Sequence, residues 1–193
     1  MTKDRLVAFS DGVIAILITI MVLELKVPQS ADLGALRPLV PTVLAYVMSF
    51  VNIGIYWSNH HHMLHVTDRI DGGILWANLH LLFWLSLIPF TTAWMGENHF
   101  ASLPTAIYGA DLLCCGIAYT ILQQVIIDFQ GPQSPLGAAV KEDTKGKLSL
   151  VLYVAAIPLA FVRPWIADCL YVFVLLMWLV PDSRIERQLA RSR

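Results

Sequence analysis

Charge is what this chain has least of. Asp, Glu, Lys and Arg make up 14% of its 193 residues, whereas 57% are hydrophobic. Soluble domains carry about 25% charged and about 45–50% apolar residues, so these charges are too few to clothe a water-facing globule. They also cluster between long apolar runs, which excludes disorder, a coiled coil and a nucleic-acid binder. A net charge of −1 offers nothing to a polyanionic partner. Cysteine is scarce too. Cys114, Cys115 and Cys169 fall inside apolar runs, where a free thiol is simply a small apolar side chain. There is no internal repeat, for Phe-Ser-Asp-Gly occurs once, and no Thr-Val-Gly-Tyr-Gly filter or ring of acids.

What is present is apolar sequence of membrane length. A helix needs roughly 20 apolar residues to cross about 30 Å of hydrocarbon. Six runs read as spans, at 8–27, 38–58, 74–95, 104–127, 147–163 and 165–181. The first is too long for a signal peptide, has no small-residue cleavage site after it and carries Asp11 and Gly12 in its first turns. Little chain remains for loops. The expected fold is an all-α integral membrane protein, with residues 1–193 forming a single six-helix domain.

Lys and Arg orient the spans. With the N-terminus in the cytoplasm, the inner side holds Lys3, Arg5, Arg69, Lys141, Lys145, Lys147, Arg184, Arg187, Arg191 and Arg193, and the outer side only Lys26, Arg37 and Arg163. That bias obeys the positive-inside rule and returns the C-terminus to the cytoplasm. Boundary residues agree. Pro28 closes the first span, Pro38 and Pro41 open the second, Asp71, Gly72 and Gly73 turn into the third, and Ser102 is expected to cap the fourth ahead of Pro104. Trp57, Trp76, Trp94 and Trp165 fall near the interfaces.

The first span is the unusual one. Asp11 is an ionisable group inside a membrane helix, which is costly unless it faces a partner or a wet cavity. Arg5 lies six residues away, roughly 120° around the helix, so the two do not pair well. Each is expected to bond to a neighbouring helix, with Trp57, His61, Asn78 and His80 as candidate partners for Asp11. A structural hydrogen-bond network is the plainest reading; ion binding and proton relay are the alternatives. Farther along, Gly12, Ile16, Thr19, Ile20 and Leu23 share one stripe at helical spacing.

The rival signal is His60-His61-His62 with His65. His61 and His65, four apart, have the spacing to clamp a metal with Asp68 nearby, which suggests a divalent-metal or proton-coupled transporter. The plainer reading is a polar, interfacial helix end. No carboxylate cluster lies deep in the other spans, and no inverted repeat supports a transporter. Asp111 and Asp168 are not in a protease-like Gly-x-Gly-Asp setting, and Ser10 has no recognisable base, so no catalytic residues, cofactor or enzymatic activity are expected.

The run from Arg5 to Thr19, Arg-x-x-x-Phe-Ser-Asp-Gly-Val-x-Ala-Ile-x-x-Thr, resembles the signature of the transmembrane protein 175 family of potassium channels. Glu24, Trp57 with the histidines after it, Asn78 and Pro89-Phe90 extend the likeness, as does the six-span layout. The resemblance implies a modestly K⁺-selective cation channel in the cell membrane, built in its prokaryotic form as a homotetramer of single six-span units. First helices line the pore. By the same resemblance Ile16, Ile20 and Leu23 match the constriction rings and Thr19 the threonine associated with K⁺ preference. Arg5, Phe9, Ser10 and Asp11 match the network that holds the first helix.

Overall fold

The computed structural model describes residues 2–140 and 143–179. Lys141, the arginines at 184, 187, 191 and 193, and the last two residues of the sixth expected span lie outside them. The described residues form helices and connecting turns, with no strand among them. The elements are α1 (Lys3–Ile20), α2 (Val40–His65), α3 (Gly72–Leu85), α4 (Ile88–Glu97), α5 (Ser102–Gln130), the short α6 (Pro135–Val140), α7 (Thr144–Val162) and α8 (Pro164–Leu179). A 3₁₀ turn, Met21–Glu24, extends α1, and another, Leu33–Leu39, leads into α2. Among the described residues, five spans are long and apolar enough to cross a membrane: Lys3–Glu24, Leu33–His65, Gly72–Glu97, Ser102–Gln130 and Thr144–Val162. The apolar helix Pro164–Leu179 follows them.

Local chemistry sets the helix ends. Asp71 caps α3 by accepting from Ile74 N–H at 2.9 Å, and Asp143 caps α7 by accepting from Gly146 N–H at 2.9 Å. The fourth span differs from expectation: Ala101 occupies the N-cap position and Ser102 is the first helical residue, with no side-chain cap. The third span is two helices rather than one. Pro89 has no N–H to offer the Leu85 carbonyl, so α3 stops there and α4 restarts at Ile88. Ser86 Oγ donates to the Phe83 carbonyl at 2.6 Å in the break. The second span runs past its expected end to His65, so all the neighbouring histidines are helical.

α5 is the central element, packing on α3, α4, α7 and α8, while α1 lies at the margin against α2 and α3. Arg163 is an extended residue that joins α7 to α8 in a tight hairpin, pinned at its far end by Trp178 Nε1 donating to Ser149 Oγ at 2.8 Å. Hydroxyls stitch the interior: Thr92 Oγ1 donates to Ser49 Oγ at 2.6 Å, Ser49 Oγ lies 3.0 Å from Tyr108 Oη, and Thr91 Oγ1 donates to Asp111 at 2.9 Å.

At Gly109, α5 lies directly against Tyr171 of α8. A Cβ there would overlap Tyr171 Oη and come within 2.7 Å of its Cζ. Tyr171 cannot move aside, being 2% exposed with its hydroxyl bonded to the Thr105 carbonyl at 3.1 Å. Gly109→Ala is therefore expected to destabilise the protein by about 1–3 kcal/mol through overpacking. A thermal melt in detergent checks this, and an unchanged midpoint speaks against the packing described.

Candidate functional site

α1 presents two different faces. Leu6, Ser10, Ile14, Leu17 and Met21 recur at helical spacing and are buried. The opposite side leaves Phe9, Gly12, Ile16, Thr19, Ile20 and Leu23 open, with Ile16 61% and Leu23 77% exposed in the single chain. Nothing approaches within 4 Å of where a Gly12 Cβ would stand. The open stripe therefore carries the sequence-derived positions Ile16, Thr19, Ile20 and Leu23 together.

Thr19 is oriented on this stripe by its own helix. Its Oγ1 donates toward the Ala15 and Ile16 carbonyls, each at 3.0 Å. With the hydroxyl proton committed to the backbone, the oxygen lone pairs remain as acceptors on the open side. Such an oxygen favours a cation over an anion.

A buried polar network holds the other face. Ser10 Oγ donates to the Leu6 carbonyl at 2.9 Å and accepts from Asn78 Nδ2 at 3.0 Å. Asn78 Oδ1 takes His60 Nε2 at 2.7 Å, which requires the proton on that nitrogen. All three side chains are at most 1% exposed. The network thus ties α1, α3 and α2 at one point, in a setting where an unpaired polar group is costly. At the start of α1, Lys3 Nζ donates to the His65 carbonyl at 2.8 Å, a cation on the last turn of α2. Beyond its far end, Lys26 pairs with Glu97 at 2.5 Å, and this hydrogen bond and charge raise the Lys26 ammonium above its usual range.

The remaining candidates are placed as follows. Of the four residues considered for Asp11, Trp57 reaches it, donating from Nε1 to Oδ1 at 2.9 Å. Asn78 instead serves Ser10, and His80 Nε2 accepts from Trp84 Nε1 at 2.9 Å. His61 is exposed, stacked on His65 with ring centroids 6.2 Å apart and tilted against Trp57 at 6.1 Å. Arg5 is exposed and makes no hydrogen bond or ion pair among the described residues. The residue that sequence reasoning passed over is His60, treated there only as part of a polar cluster. Its signal was spacing: Ser49, Asn52, Ile53, His60, Met63 and Leu64 recur on the buried face of α2, whereas His61 and His65 do not. His60 therefore points away from its neighbours, and no group of three or more His, Cys, Asp or Glu among the described residues is arranged to hold a metal.

Membrane-length helices packed around α5, with one helix offering a hydroxyl-bearing stripe to no neighbour among the described residues, define an all-α integral membrane protein. The family described as the endosomal/lysosomal potassium channel TMEM175 matches residues 5–89. A potassium channel of Chryseobacterium sp. (strain P1-3) is 53% identical over 192 residues, 100% of both chains. A crystal structure of a lysosomal potassium-selective channel TMEM175 homolog from Chamaesiphon minutus superposes with a TM-score of 0.81 at 29% identity, covering 92% of this chain and 96% of that one. The human endosomal/lysosomal proton channel TMEM175 is 26% identical over 133 residues, 66% of this chain but 25% of the human protein. The chain belongs to the TMEM175 family.

Proposed function

We propose that this protein is a potassium-permeable cation channel of the cell membrane, a homotetramer whose central pore is lined by the open stripe of α1, with both termini cytoplasmic. The observation that carries this reading is the end-to-end likeness to a bacterial protein named as a potassium channel, joined to an α1 face that the described residues leave uncovered. One such stripe encloses nothing. Four copies around an axis make a closed ring. Ile16, Ile20 and Leu23 would then stack as apolar constrictions that gate by dewetting.

Thr19 supplies the selectivity. Four Thr19 oxygens with outward lone pairs beside the Ile16 ring would partly replace the hydration of a passing cation. A larger, more weakly hydrated ion loses less there, so K⁺ passes more readily than Na⁺. Hydroxyls are weaker ligands than a cage of carbonyls, so the preference is modest. Thr19→Val keeps the side-chain shape and removes the oxygen, and the K⁺/Na⁺ permeability ratio is expected to fall severalfold, toward unity, with assembly intact. Reversal potentials under opposed gradients measure it; an unaltered ratio removes Thr19 from the selective site.

Purified protein in liposomes tests the whole reading. Net K⁺ flux above Na⁺ flux is expected, and absence of any cation flux from folded, inserted protein overturns it. Because the animal relatives are named as proton channels, proton flux belongs in the same assay.

A further inference from the structure

Away from the α1 stripe lies a second feature, a partly open cavity of about 60 Å³ between α2, α5, α7 and α8. It is lined by the first half of α7, the last turns of α8 and the middle stretches of α2 and α5, all from a single chain. A space of that size is roomy enough for several waters or a small ligand. Its lining is distinctive. Tyr56, Tyr119, Tyr153 and Trp178 give it aromatic walls, and Asn52 and Asn59 bring side-chain amides. Among the described residues, Asp143 is the one acidic group in the lining, and no Lys, Arg or His lines it.

Several of these groups are held in place. Asp143 Oδ1 accepts from Gly146 N–H, and Gly146 has no Cβ because the carboxylate occupies that space. Tyr119 Oη donates to the Asn59 carbonyl at 3.3 Å and meets Tyr56 edge-on at 6.1 Å. Trp178 is fixed by its bond to Ser149. Lys145 Nζ lies 6.0 Å from the Trp178 ring centroid but does not line the cavity. Aromatic faces attract cations through the ring quadrupole, and a carboxylate with amide oxygens accepts N–H donors.

We propose that this cavity is a binding site for a primary ammonium group, with the carboxylate of Asp143 and the aromatic walls as its recognition elements. The same chemistry comes either as a free alkylamine or as the ethanolamine headgroup of a phospholipid, and the site is independent of the pore reading.

The test uses the whole protein in nanodiscs of phosphatidylglycerol, which carries no ammonium. Ethylammonium is titrated calorimetrically at constant ionic strength, with ethanol as the neutral control of similar size. Saturable binding of ethylammonium and none of ethanol is expected. Asp143→Asn keeps an α7 cap and removes the charge, so affinity should fall about tenfold or more. Trp178→Leu, which removes a wall, should weaken binding severalfold. Thermal melts confirm that both variants fold, and Asp143→Asn alone suffices if Trp178→Leu does not. A second arm adds phosphatidylethanolamine and reads retained lipid by native mass spectrometry. Retention lost in Asp143→Asn identifies the lipid headgroup as a source, and ethylammonium binding without such retention identifies a free amine. No saturable ethylammonium binding, or equal affinity in Asp143→Asn and the unaltered protein, overturns the proposal.

Discussion

Ile16→Asn is expected to raise K⁺ flux through the reconstituted protein by about tenfold or more. Ile16 is the first bulky side chain past Gly12 on the open stripe and is 61% exposed in the single chain. In a ring of four, its branched side chains would exclude water from a narrow passage, and an ion crossing that gap loses its hydration without compensation. An amide of similar size wets the gap. Each 1.4 kcal/mol removed from such a barrier is worth about tenfold in rate, and an apolar constriction that dewets presents at least a barrier of that order. Liposome flux normalised to inserted protein measures the change. Flux equal to or below that of the unaltered protein, with the assembly intact by size exclusion, removes Ile16 from the proposed constriction.

The second large effect is on stability. Asn78→Ala strips His60 Nε2 of its acceptor in a site 1% exposed and leaves Ser10 Oγ with only its bond to Leu6. One orphaned buried donor costs about 1–3 kcal/mol, and the lost side-chain volume adds a cavity, so about 2–4 kcal/mol is expected in all. Because the network joins α1, α2 and α3, the loss should appear as a lower melting midpoint and a smaller assembled fraction. Asp11→Ala should cost less, about 1 kcal/mol, since Asp11 is only half-buried and its partner Trp57 is exposed. Channels that still assemble should keep their K⁺/Na⁺ ratio in both variants, because Ile16 and Thr19 lie beyond the network along α1. Equal melting of Asn78→Ala and the unaltered protein contradicts the structural role given to the network.

The spans were legible in the sequence because membrane crossing imposes a length, and five of the six expected runs coincide with helical spans long enough to cross. The two faces of α1 were legible as periodicity. The break in the third span was signalled by Pro89, but a proline inside a membrane helix is often absorbed by neighbours. Only the fold reveals that the helix stops at Leu85 and restarts at Ile88. The register of the histidines was harder. Nothing in His60-His61-His62 alone says which faces inward; the buried Asn52 and Ile53 two turns earlier and Met63 and Leu64 one turn later on α2 decide it. Partners of Asp11 were legible only as a set, since indole, imidazole and amide donors all suit a carboxylate. Depth and rotation of α2 against α1 select Trp57. The aromatic cavity was not legible at all, because its walls come from four helices with no shared motif.

The most direct measurement of pore lining by α1 is charged-thiol block at Leu23. In a background with Cys114, Cys115 and Cys169 replaced by Ala, Leu23→Cys is reconstituted beside Val154→Cys, which is exposed on α7. A charged methanethiosulfonate reagent is applied, labelling is verified by mass, and K⁺ current is recorded before and after. The expected result is block at Leu23→Cys and unchanged current at Val154→Cys. Full labelling of Leu23→Cys with undiminished current would contradict a pore lined by the open stripe of α1.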